Sequence, residues 1–258
     1  MLKGKIAWVT GGGSGIGRAG AEELAAAGAT VIVSGRRAAE LEEVTHAIAA
    51  KDGVAETAPL DVTDKASVAG VGADILKRHG RVDILVNSAG MNVPHRFWKN
   101  LTPDSFESVI SANLLGSLNT IAAVLPSMRA RKDGLVINIS SWAGRFAHLL
   151  TGPAYNAAKH GVVAMTLSLN MEECVNGIRS CVVCPGEVAT PILLNRPIPE
   201  TPETMARMIQ PQDMGALIAF IARQPAHVCI NEVLITPTHN RGYIGIMQAR
   251  GAALAGKR

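Results

Sequence analysis

Aromatic side chains make up only 3% of the 258 residues, and Lys and Arg outnumber Asp and Glu by just 25 to 21. The cations are scattered and form no block. A nucleic-acid surface needs clustered cations, often interleaved with aromatic platforms, so no nucleic-acid partner is expected. Mild basicity suits a small anionic ligand equally well. Cysteine is scarce too: Cys174, Cys181, Cys184 and Cys229. Cys181 and Cys184 form a C-x-x-C, but Val182 and Val183 between them read as strand, not as a redox or zinc turn. Neither a second C-x-x-C nor a His pair completes a site, so no metal is expected. The thiols read as buried free cysteines in a reducing cytoplasm. No apolar run approaches the ~18 residues of a membrane span, and the first, of about five residues, is too short for a secretory signal. The expectation is a cytoplasmic chain with no membrane partner.

Hydrophobic residues form 48% of the chain, enough for a sizeable core. Strands are expected at residues 6–9, 31–34, 54–60, 82–86, 135–139, 178–183 and 233–235. Helices are expected at 15–27, 38–51, 67–79, about 102–131 and 155–175, with short ones near 201–223; Gly28, Gly80 and Gly177 act as stops. Strands apolar throughout, separated by long helices, form a parallel sheet covered on both faces. The expected fold is therefore α/β. It is a single doubly wound domain over residues 1–250, with an about seven-stranded parallel sheet and helices on both faces. The least regular stretch, 185–212, holds six prolines. A substrate flap is expected at about 187–212, and residues 251–258 read as a tail.

"TGGGSGIG" fills residues 10–17, between the first strand and the first helix. At that junction a doubly wound sheet binds a pyrophosphate. Glycines let the backbone turn and approach the phosphates, and the helix N-terminus offers N–H groups and a positive dipole. Gly11, Gly15 and Gly17 have the spacing G-x3-G-x-G, not the common G-x-G-x-x-G; Gly13, Ser14 and Ile16 complete the turn. An ordinary strand–helix turn also holds glycines, but this position, opening a βαβ unit, points to a dinucleotide. About 20 residues on, a chain that binds NAD places Asp or Glu against the adenosine ribose. Here the second strand ends in Ser34, Gly35, Arg36 and Arg37. An Arg at that point forks onto a 2′-phosphate. NADP is favoured, and NAD stays possible.

"YNAAK" sets Tyr155 and Lys159 four apart, on one helix face and about 6 Å apart along the axis. An ammonium near a phenol stabilises the phenolate, and such a tyrosine passes a proton to or from a substrate oxygen. Ser141 follows an expected strand, at the carboxyl edge of the sheet where ligands bind in this architecture. Singly, a Tyr/Lys pair is more often an amphipathic contact.

Taken together, several motifs resemble the short-chain dehydrogenases/reductases over nearly the whole chain. They are Thr10-Gly11-x3-Gly15-x-Gly17, Asp61 in "LDVTD", "NSAG" at 87–90, Asn113, Ser141, Tyr155-x3-Lys159 and "PGEVAT" at 185–190. The resemblance implies a Rossmann-like fold and hydride transfer between a nicotinamide cofactor and a small alcohol or carbonyl. It implies Tyr155 as general acid/base and Ser141 as the group holding the substrate oxygen. Lys159 would lower the tyrosine pKa and bind the nicotinamide ribose, and Asn113 would bind a water in the proton relay. Asp61, with Val62, would contact the adenine, and Asn87, Ala89 and Gly90 would flank the cofactor. After Pro185 and Gly186, Thr190 and the backbone near Val188 would hold the carboxamide. Three features depart from the family pattern. "NSAG" stands for "NNAG", Ser14 takes the place of a basic residue common in NADP-preferring members, and "NEVLITPTHN" from Asn231 replaces a "DGG" turn. Two other readings stand beside the NADP enzyme: an NAD-preferring sugar, polyol or hydroxy-acid dehydrogenase, and a non-catalytic dinucleotide sensor.

The substrate pocket is expected among loop 91–98, the loop after Ser141 and the flap. Arg96 and Arg145 are candidates to clamp an anion, with helix caps, solvent or a second subunit as their other settings. Trp98, Trp142 and Phe146 either wall an apolar pocket or pack under a loop. His95 and His148 read as surface, and Glu187 as solvent rim. By the resemblance, helices 102–131 and 154–175 pair across a two-fold axis, so a homotetramer or homodimer is expected.

Overall fold

The first apolar run forms β1 (Ile6–Thr10), whose side chains divide between two cores. Ala7 and Val9 face one side of the sheet, and Ile6 and Trp8 the other. This period of two is what a strand buried on both faces requires. The computed structural model describes residues 1–196 and 200–255. From β1 the chain alternates through α1 (Gly15–Ala26), β2 (Thr30–Ser34), α2 (Ala38–Ala49), β3 (Val54–Thr57), α3 (Lys65–His79) and β4 (Ile84–Asn87). Then come α4 (Pro103–Ile110), α5 (Gly116–Arg131), β5 (Gly134–Ile139), α6 (Gly152–Glu173) and β6 (Ile178–Pro185). The last elements are α7 (Pro202–Ala206), α8 (Pro211–Ala222), β7 (Glu232–Ile235) and α9 (Arg241–Ala255). All seven strands pair in parallel, in the order β3-β2-β1-β4-β5-β6-β7.

One face of the sheet meets Leu24 of α1, Leu41 and Val44 of α2, and Met214 and Ile218 of α8. The other meets Val68 and Ile75 of α3 and Ile121, Val124 and Met128 of α5. Capping sets several starts. Asp64 accepts bonds from the Ala66 and Ser67 N–H groups, so α3 begins ahead of the expected residue 67. Between strands, buried Asp83 accepts from the Ile6 N–H at 2.8 Å and pairs with Lys5 and Arg81.

Four expectations change. The third strand leaves the ladder at Thr57 rather than residue 60, although Ala58 and Leu60 still donate to Val33 and Gly35 and bring Asp61 to the sheet edge. The helix expected over 102–131 is interrupted by a five-residue π-turn at Ser111–Leu115. The whole run Pro103–Arg131 is long and apolar enough, by length and composition, to cross a bilayer, which the search for continuous apolar runs does not reveal. Its inward residues, Val109, Ile121, Val124 and Met128, are buried in this protein. Finally, α9 crosses Gly251, where a tail is expected, and continues to Ala255.

Cys181 and Cys184 lie buried in β6, where burial pushes their thiols up to about 12 and about 11. Cys174 and Cys229 are exposed, contrary to the expectation of burial for all four.

Candidate active site

Strand order reverses between β1 and β4, and a crevice opens at the carboxyl ends of the strands there. It is a cavity of about 1370 Å3. One drug-sized ligand fills about 300–1,000 Å3, so this space suits two molecules side by side.

At one end lies the glycine turn. Gly11, Gly13, Ser14, Gly15 and Ile16 line the cavity. Gly11 has φ +66°, and a Cβ on Gly17 would fall 2.2 Å from the Gly11 carbonyl oxygen. Gly17 thus closes the turn from behind and does not itself line the cavity. Ser14 precedes α1 but makes no capping bond; its Oγ instead accepts from Arg37 Nη2 at 3.2 Å. The first N–H groups of α1 therefore keep no side-chain cap and suit an anion. Arg36 and Arg37 line the same end, with Arg37 also paired to Glu40. Glu40 is a cavity residue the sequence reading misses. Asp61 and Val62 line the neighbouring wall. The Thr63 N–H holds the Asp61 carboxyl below its usual range.

Ala89 and Gly90 line the middle, but Asn87 does not. The Asn87 side chain turns inward, donates to Asn138 Oδ1 at 2.9 Å and accepts from Thr120 Oγ1 at 2.6 Å. Asn138 in turn donates to Thr166 on α6. Asn87 therefore ties β4 to β5 and the helices; its alternating position in the strand sends it into the core.

Beyond the middle the reactive side chains converge. Ser141 leaves the end of β5, Tyr155 and Lys159 stand on α6, and Asn113 comes from the π-turn; all four line the cavity. The Ser140 hydroxyl donates to the Lys159 carbonyl at 2.9 Å and so staples this loop to α6. Lys159 is 5% exposed, donates from Nζ to the Ile139 carbonyl at 2.9 Å and sits 5.4 Å from the Tyr155 ring centre. Burial lowers its pKa to about 8. Burial pushes the Tyr155 phenol up to about 12, against a hydrogen bond with Ser141 and the charges of Arg96 and Arg196. Arg96 and Arg196 thus bear on the phenol, and the Lys159 ammonium stands over its ring. Asn113 donates from Nδ2 to the Met91 and Val109 carbonyls, both at 2.8 Å. Its buried Oδ1 accepts no bond among the described residues. A Cβ on Gly90 would lie 2.6 Å from that oxygen and 3.6 Å from Lys159 Nζ.

Pro185, Gly186, Val188 and Thr190 line the far side, and Thr190 stands against Gly15. Arg96 lines the cavity, but Arg145 pairs with Glu232 and does not. Trp142 and His148 line it, whereas Trp98 is 81% exposed and Phe146 packs on the Trp142 ring. Glu187 is no rim residue: it lines the cavity and accepts from Arg196 and Arg241. Those bonds hold its carboxyl low although burial opposes them. Arg196, Arg241 and Tyr243 are wall residues the sequence reading misses.

The family model described as short chain dehydrogenase matches residues 5–200. The chain is 36% identical over 237 residues to an uncharacterized oxidoreductase of Staphylococcus saprophyticus, spanning 92% of this chain and 98% of that one. A metagenomic short-chain oxidoreductase solved in complex with NADP is 32% identical, with a TM-score of 0.81 over 93% of this chain and 99% of its own. Levodione reductase is 30% identical, with a TM-score of 0.85 over 92% and 98%. The parallel order of the seven strands, the glycine turn at their reversal point and the Ser141, Tyr155 and Lys159 group agree with these matches, and the chain belongs to the short-chain dehydrogenase family of oxidoreductases.

Proposed function

We propose that this protein interconverts a secondary alcohol and a carbonyl, using NADP, with Tyr155 as general acid/base. The observation that carries the reading is that Ser141, Tyr155, Lys159 and the glycine turn open on one cavity large enough for two ligands. A bound nicotinamide dinucleotide supplies or accepts the hydride. The turn at 11–16 and the start of α1 suit its diphosphate, and a side chain on Gly17 would break that turn. Arg36 and Arg37 suit a 2′-phosphate, Asp61 and Val62 the adenine, Lys159 the ribose hydroxyls, and Val188 and Thr190 the carboxamide. The solved relative in complex with NADP supports the same cofactor class.

The Tyr155 hydroxyl gives its proton to the carbonyl oxygen in reduction, and the Tyr155 phenolate takes one from the alcohol in oxidation. The Ser141 hydroxyl donates to the same oxygen and fixes it beside the phenol. The buried Asn113 Oδ1, next to Gly90 and Lys159, suits a water that resupplies the proton. One observation favours an NAD-preferring enzyme instead: the Glu40 carboxylate lines the adenosine end and engages Arg37.

The test is consumption of NADPH and NADH, in parallel, over aldehydes, ketones and keto acids, with Tyr155→Phe as control. Turnover should fall by about 10²–10⁴-fold in the variant while dinucleotide binding is kept. Undiminished turnover would remove Tyr155 from its role. The outer faces of α5 and α6 and their flanking turns expose Leu115, Leu118, Met171 and Val175, which supports a homodimer or homotetramer built on that pair.

A further inference from the structure

We propose that the substrate carries an aromatic ring, seated in a corner between Trp142 and Tyr243, and that Tyr243 on α9 is a specificity-determining residue; the idea rests on the oxidoreductase reading above. The chain has only four Phe, three Trp and two Tyr. Three of these, Trp142, Phe146 and Tyr243, form one cluster next to Ser141. Trp142 and Tyr243 both line the cavity that holds Ser141 and Tyr155. Their ring centres lie 5.9 Å apart, with planes at 73°. Two rings at such an angle form a corner. A flat ring laid on one of them turns its edge to the other, and aromatic pairs favour both arrangements. Phe146, outside the cavity, packs on the Trp142 ring at 4.6 Å and holds its plane. Tyr243 is 54% exposed, and Ile246, one turn further along α9, is 66% exposed and lines the cavity too. Apolar surface left open this close to a reactive group is what an apolar part of a ligand covers.

Tyr243 belongs to neither sheet core, so its place comes from the start of α9. Asn240 Oδ1 accepts from the Gly242 and Tyr243 N–H groups at 3.0 and 3.3 Å and caps the helix. Arg241 donates from Nε to Glu187 Oε2 and from Nη1 to Glu200 Oε2, both at 2.8 Å. These bonds pin the first turn of α9, which carries Tyr243, to the cavity wall that follows β6. Arg196 binds the same two carboxylates. The charges of this cluster are matched among themselves, and a neutral ring beside them leaves none of them unpartnered. The whole of α9 lies beyond the residues 5–200 that the family model matches. One wall of the corner therefore follows the serine shared with the family, and the other comes from a segment outside the matched span.

The seat fits an aryl-bearing ketone, or the matching secondary alcohol on the reverse path, with its oxygen at Ser141 and Tyr155. The experiment uses phenylacetone and benzylacetone, each beside its cyclohexyl counterpart of similar size, so that only the aromatic character of the ring changes. In the first arm the ketones are titrated by calorimetry with oxidised NADP and, separately, oxidised NAD, which carry no hydride to transfer. Wild type should bind at least one phenyl ketone roughly 3- to 10-fold more tightly than its counterpart. Equal binding within both pairs would overturn the aromatic seat, whatever the chemistry of the enzyme. In the second arm the same ketones are reduced with NADPH and NADH. The phenyl-to-cyclohexyl ratio of kcat/KM should again be roughly 3- to 10-fold in wild type, fall towards one in Tyr243→Ala mainly through KM, and persist in Tyr243→Phe, which keeps the ring. Tyr243 is half-exposed and outside the packed cores, so both variants keep the fold. A ratio unmoved in Tyr243→Ala, or lost in Tyr243→Phe, would overturn the proposal. A phenyl preference in binding that Tyr243→Ala abolishes, with no reduction of any ketone, would keep the seat and strike the oxidoreductase reading instead.

Discussion

Replacing Lys159 by Met should make the ligand-free protein more stable while it loses turnover. Lys159 is buried and has no carboxylate partner among the described residues; its hydrogen bond goes to a neutral carbonyl. Burial moves its pKa from 10.5 to about 8. At roughly 1.4 kcal/mol per unit, the charged form costs the fold roughly 3 kcal/mol. Methionine fills a similar volume and removes that cost, but gives up the bond to Ile139, worth about 1 kcal/mol. The net gain at pH 7 is about 2 kcal/mol, or roughly 4–8 °C in Tm for a domain of this size. The pH dependence identifies the cause. Because the folded value lies below the unfolded one, the unfolded chain binds the extra proton between about pH 8 and 10.5. Wild-type stability from this group therefore rises with pH across that window. Thermal melts of both proteins at pH 7.0 and 9.5 should show the Tm difference shrinking towards zero. A less stable variant at pH 7, or a difference independent of pH, would refute the desolvation argument.

Two further outcomes follow from the geometry. Arg36→Asp should weaken NADPH binding by at least tenfold and leave NADH binding equal or tighter, measured by nicotinamide fluorescence; unchanged affinity for both would remove Arg36 from the 2′-phosphate site. Sedimentation velocity should give a dimer or larger species, and Leu118→Glu, which places a charge on an apolar outer face, should shift it towards monomer. A wild-type monomer would end the oligomer reading.

The alternating apolar runs reveal the sheet because every central strand is buried on both sides and leaves no polar face to blur the pattern. The glycine turn and the Tyr155, Lys159 pair are legible for a related reason: each needs particular residue types at fixed spacing. Asn87 shows where motif reading stops. A strand residue faces either the core or the cleft, and only the pleat decides which. Arg196, Arg241 and Tyr243 join the site through tertiary packing of the flap and α9. That helix carries Gly242, Gly245 and Gly251, weak helix formers, without a clear apolar stripe. Glu40 looks like any exposed acid at a helix start; only its approach to Gly13 brings it into the cavity.

The π-turn before α5 works as a phase shifter. The Gly116 N–H reaches back five residues to the Ser111 carbonyl, one more than an α-turn spans. One surplus residue rotates all that follows by about 100° relative to what came before. Val109 ahead of the turn and Thr120, Ile121 and Val124 behind it are all buried, and Asn113, at the surplus itself, faces the cleft. Removing one residue at 112 would bring the two halves into phase, and either Asn113 or the α5 stripe would turn away from its partner. The number of residues in this turn thus sets which side chain reaches the cleft.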